Sequence, residues 1–85
     1  MSIKEQQINR FINMMPEIMG NFKYKHGRAW LHYFLRFYGI RWLDENVGVE
    51  AMEDALYTMG CDRMKVWRMK QKFENDRVIR QYLMT

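Results

Sequence analysis

Cysteine and proline are nearly absent: Cys61 and Pro16 are the only ones in 85 residues. A single thiol excludes an internal disulfide and fits a reducing compartment. It also leaves little for catalysis or metal binding. The two histidines, His26 and His32, are six apart and do not share a helical face. With Cys61 they do not make up a ligand set, and no His stands at a recognisable spacing to activate the thiol. No glycine-rich phosphate loop is present. Neither an enzyme nor a cofactor nor a metal is expected. A long apolar run is missing too. The richest stretch, Ala29 to Leu43, is interrupted by His32, Arg36, Gly39 and Arg41 and is shorter than the roughly 20 apolar residues that span a bilayer. Met1 to Arg10 is polar and has no apolar core of a secretory signal. A soluble cytoplasmic protein that does not enter a membrane is the expectation. Period-two alternation, internal repeats and low-complexity tracts are also lacking, which leaves one all-α domain over residues 1–85.

What the chain does have is large apolar side chains: three Trp, five Tyr, five Phe and nine Met. They suffice for one core, although a chain this short has a thin margin of stability unless a partner adds interface. The net charge of +4 is mild but segregated. Lys23 to Arg41 carries five basic residues and no acidic ones, and Asp44 to Asp54 carries five acidic and no basic ones. Arg63 to Arg80 carries seven basic and two acidic residues. Two explanations compete: a polyanionic partner for the basic faces, or mutual neutralisation of acidic and basic elements across the fold.

Four to five helices are expected. Ser2 and Glu5 make the S-x-x-E capping signature, followed by Ile8, Phe11, Ile12 and Met15 on one face. Pro16 predicts a kink or a new turn, Gly20 a C-terminal stop, and residues 21–27 a basic loop. The next helix, from about Arg28 to Tyr38, is apolar on nearly all sides, with Arg28, His32 and Arg36 as a narrow polar stripe. Such a helix is expected at the centre of the fold. Ile40 to Gly48 is ambiguous, with Trp42 and Leu43 folding back onto the core. A helix over 49–59 buries Val49, Met52, Ala55, Leu56 and Met59, and its acidic first turns suit the helix dipole. Asp62 is the expected N-cap of the last long helix, which turns Val66, Met69 and Phe73 inward. The jump from Phe73 to Val78 suggests a break near Asn75 and Asp76, with Asp76 capping a short final helix. The alternative is an unbroken helix with Val78 and Ile79 docked elsewhere.

The most specific signal lies between Ala55 and Met69. Ala55, Met59, Cys61, Val66 and Met69 are spaced as apolar contacts between two helices that cross over a short turn. Gly60 sits where that turn needs positive φ. From Met52 to Gln71 the chain resembles the helix-turn-helix superfamily of DNA-binding proteins. It departs at Leu56, where the family usually has a small residue; Ala55 lies beside it, so the crossing is wider or the register differs by one.

The resemblance implies a C-terminal half in which the second helix enters the major groove of duplex DNA. Asp62, Arg63, Met64, Trp67, Arg68 and Gln71 would then face the groove. Arg suits guanine and Gln suits adenine as bidentate partners. Lys65, Lys70 and Lys72 would suit phosphates. Against this stand the acidic residues Glu53 and Asp54, close to a phosphate strand in that geometry. Burial of Trp67 and Met64 would rotate the helix and remove the motif. A second basic surface is read at Lys23, Tyr24, Lys25, His26 and Arg28, where aromatic and basic residues alternate as in loops that stack on nucleobases. Its plainer explanation is a solvated loop anchored by Phe22.

Two functions follow. One is a DNA-binding regulator or accessory factor of phage or bacterial type, expected as a homodimer on a symmetric site, with Val78, Ile79, Tyr82 and Leu83 as the dimer face. The other is a small phage-type inhibitor or adaptor that binds a host protein, a compositional analogy resting on Met- and aromatic-rich helices.

Overall fold

A computed structural model describes residues 2–84. Its described residues form five α-helices: α1 (Ile3–His26), α2 (Trp30–Tyr38), α3 (Ile40–Asn46), α4 (Val49–Thr58) and α5 (Arg63–Met84), with a 3₁₀ turn (Gly27–Ala29) between α1 and α2. No described helix is long and apolar enough to cross a membrane.

The first helix starts at Ser2, whose hydroxyl accepts a hydrogen bond from the Glu5 amide at 3.1 Å. It then continues past Pro16 and past the stop expected at Gly20. Pro16 lies inside it, between the fully buried Met15 and Met19. Gly20 keeps an ordinary helical backbone, and residues 21–26 are helix rather than loop. The reason is packing. Phe22 meets the Phe34 ring edge-on at 5.4 Å and the Phe37 ring at 5.7 Å, so it holds the last turns of α1 against α2. Burying such a ring outweighs the roughly 1 kcal/mol a mid-helix glycine costs. The helix ends at Gly27, whose φ of 59° is the left-handed conformation that glycine adopts without strain.

One core holds the chain together. Met15 and Met19 from α1, Trp30, Leu31, Phe34 and Leu35 from α2, and Leu43 from α3 meet Met52, Ala55 and Leu56 from α4 and Val66, Met69 and Phe73 from α5. Helix α1 lies against α2 and α4, α2 against α3, and α5 against both α3 and α4. The molecule measures 40 × 34 × 20 Å, and 20 Å is only two helices deep. That thinness corrects the expectation for α2. It is covered on one side only, and Tyr33 and Phe37 face water. Leu43 is fully buried as expected, whereas Trp42 stays 39 % exposed, with Phe11 edge-on to its ring at 5.6 Å.

Helix α5 is unbroken for 22 residues, so the expected break near Asn75 and Asp76 is absent. Asp76 does not cap a helix; its Oδ2 lies 2.9 Å from Arg80 Nε one turn on, an ion pair rather than an aligned hydrogen bond. The failed apolar stripe has a polar explanation. Arg77 and Arg80 both reach Asp44 on α3, and this network anchors the helix beyond Phe73. Val78 and Ile79 are left more than half exposed and lie outside the buried core.

Candidate nucleic-acid interface

Helices α4 and α5 are joined by a tight turn. The Cys61 amide donates to the Leu56 carbonyl at 3.0 Å and the Gly60 amide to Tyr57 at 2.9 Å. Closing the chain this sharply requires a positive φ, and Gly60 supplies it at 85°. Asp62 then caps α5: its Oδ1 accepts from the Lys65 amide at 2.9 Å.

The rotation of α5 about its axis decides which side chains are available. Val66 is 2 % exposed and Met69 and Phe73 are fully buried, while Trp67 is 57 % and Met64 is 55 % exposed. The indole is outside the core, and Arg63, Arg68 and Gln71 lie on the exposed surface with it. Arg63, Met64 and Trp67 line one shallow depression. Both Ala55 and Leu56 are buried, so the larger residue at the close approach is absorbed by the core.

Charge pairing divides the helix in two. Toward its C-terminus Arg77 and Arg80 are neutralised by Asp44, Glu45 and Asp76. Lys70 is also withdrawn, since its Nζ lies 2.7 Å from Glu53 on α4; Glu53 holds its proton affinity up. Lys70, expected at phosphates, is therefore occupied; Glu53 is paired with it, while Asp54 is exposed and has no ion pair among the described residues. Arg63 and Arg68 have no ion pair among the described residues. Of the two explanations for the segregated charge, neutralisation accounts for Lys70, Arg77 and Arg80 and not for Arg63 or Arg68.

The other basic residues named from the sequence are only partly brought together. Lys23 and Arg28 line one cleft with Lys65, Trp30, Asp62 and the turn residues Met59, Gly60 and Cys61. The Lys65 ammonium sits 4.9 Å from the centre of the Trp30 ring, a cation–π contact that fixes the side chain without neutralising it. Lys25 and Tyr24 open instead onto a separate aromatic cleft with Phe22, His26, Phe37 and Tyr38. Lys72 lies further along α5, beside His32, Arg36 and Arg41. Those three were not assigned from the sequence, although the four-residue recurrence of Arg28, His32 and Arg36 was visible in it. Burial pushes the Cys61 thiol above its ordinary value, against the opposing pull of Lys65 and Lys23. Comparison with protein-family models, curated proteins and solved structures returns no match.

Proposed function

We propose that this chain is a small DNA-binding protein, a regulator or accessory factor, that presents the N-terminal half of α5 to the major groove of duplex DNA. One observation carries the reading: the exposed face that begins α5 collects the unpaired Arg63 and Arg68 with Trp67 and Gln71, while the cations of its C-terminal half are already paired. Arg63, Arg68 and Gln71 have the donor geometry for base edges. Lys23, Arg28 and Lys65, gathered at the turn, suit phosphates and would make affinity strongly salt-dependent.

A homodimer fits this arrangement. Val78, Ile79, Tyr82 and Leu83 are all more than half exposed. Val78 follows Arg63 by fifteen residues, or roughly 22 Å of helix. A twofold contact at that end leaves the reading face free and gives two half-sites.

The competing function, a small inhibitor or adaptor on a host protein, is favoured by the apolar character of the same helix. Met64 and Trp67 near its start and Val78, Ile79, Tyr82 and Leu83 near its end are large side chains in water. Titration of random-sequence duplex binding against salt separates the two. Affinity that falls steeply with salt and collapses in Arg63→Ala/Arg68→Ala supports DNA binding. No binding at low salt, with one host protein co-purifying at fixed stoichiometry, supports the other.

A further inference from the structure

Two rows of basic side chains flank a seam of clefts that α2 and α5 line together. On α2, His32 and Arg36 are four residues apart and share a face, and Arg28 stands in the 3₁₀ turn before them. On α5, Lys65, Arg68 and Lys72 recur at three and four residues and share the facing flank. Two successive clefts tie the rows together. Arg28 and Lys65 line the first, about 420 Å³, against Trp30. One stretch along α5, Lys72 lines the second, about 440 Å³, with His32 and Arg36. The acids lining these clefts are engaged: Asp62 accepts the Lys65 amide, and Asp76 is paired with Arg80. None of the six basic side chains has an ion pair among the described residues.

We propose that this seam is a track for one phosphodiester strand of the bound duplex, so that α2, outside the helix–turn–helix unit, supplies backbone contacts. The inference rests on the DNA-binding reading and adds His32 and Arg36 to it. A helix lying along the major groove runs beside the phosphate strands that wall it. The strand on the α2 side meets the seam lengthwise. Lys65 and Lys72 are seven residues apart, about 10 Å of helix, which is room for two phosphates. Arg28 with Lys65 holds one and Arg36 with Lys72 the next. These contacts position the duplex and carry no sequence information.

The test is fluorescence anisotropy of the full chain with a 20-base-pair duplex at several salt concentrations, for wild type, Arg36→Gln/Lys72→Gln, Arg36→Lys/Lys72→Arg and Gln71→Ala. Circular dichroism confirms that each exposed-site variant stays folded. The track predicts that the double Gln variant flattens the slope of log affinity against log salt by about 0.9, the share of the one phosphate that Arg36 and Lys72 hold together. Charge-preserving exchange restores the slope, and Gln71→Ala leaves it unchanged. A wild type that binds duplex with a slope the double Gln variant does not alter overturns the track and leaves the groove-reading surface standing. A wild type that binds no duplex at low salt overturns both.

Discussion

Arg77 donates two hydrogen bonds to the carboxylate of Asp44, 33 residues earlier in the chain, at 2.9 and 2.7 Å. Arg80 reaches the same carboxylate from the next turn. This one acid, on a helix of only seven residues, fixes where the second half of α5 lies and which of its charges remain for a partner.

Acid should loosen that contact. The hydrogen bond from Arg77 is the main cause that holds the Asp44 carboxyl below its ordinary value, with Arg80 adding to it against the opposing effect of burial. Because the folded value is depressed, the stabilisation is fully present above the unfolded value of roughly 3.9 and fades as pH falls through the folded one. Urea titrations of wild type and Asp44→Asn should therefore differ at pH 7, and the gap should narrow progressively as pH falls below about 3.9. Curves that stay equally far apart throughout would refute the linkage.

Two glycines should respond in opposite directions to the same substitution. Nothing lies within 4 Å of a Cβ added at either Gly20 or Gly60. Only backbone conformation then distinguishes them. Gly20→Ala, in the middle of α1, should stabilise by about 0.5–1 kcal/mol. Gly60→Ala, forced to positive φ, should destabilise by about 1–2 kcal/mol. Thermal unfolding of the two variants measures both.

Phe73 and Trp67 are similar in kind and unlike in consequence. Phe73 is fully buried, and Phe73→Ala should cost about 3–5 kcal/mol. Trp67 stands in solvent, so Trp67→Ala should change stability by no more than about 0.5 kcal/mol. Its effect belongs to binding: duplex affinity should drop several-fold. A large stability loss at Trp67 would mean that the indole is part of the core.

Arg68 and Lys70, two positions apart on α5, should differ in the salt dependence of DNA binding. Arg68→Ala should reduce the slope of log affinity against log salt by up to about 0.9, because an unpaired guanidinium in the groove lies among the phosphates even when it bonds a base edge. Lys70→Ala should leave the slope unchanged, because Glu53 already holds that ammonium. Equal effects from the two variants would contradict the pairing.

The fold class, the capped starts of α1 and α5, and the inward set Val66, Met69 and Phe73 were legible because each rests on local chemistry: a side-chain oxygen three residues from an amide, or apolar side chains at helical spacing. Of the candidate site, only the exposure of its α5 residues was legible in this way, while Lys25 opens onto a separate cleft. Arg63, Trp67, Arg68 and Gln71 lie on the solvent face that the spacing predicts. Local signals misled where distant contacts outweighed them. Gly20 reads as a stop, and Phe22 packed on α2 carries the helix through it. Asn75 and Asp76 read as a break, and two arginines on Asp44 hold the helix whole.

Sequence alone determined that this chain is helical and which stripe of its last helix turns inward, because periodicity and capping act within a few residues. Only the tertiary structure decided which cations are spent. Whether Lys70 or Arg68 stays open to a polyanion depends on whether a carboxylate from another helix comes within about 4 Å, and spacing along the chain does not encode that distance.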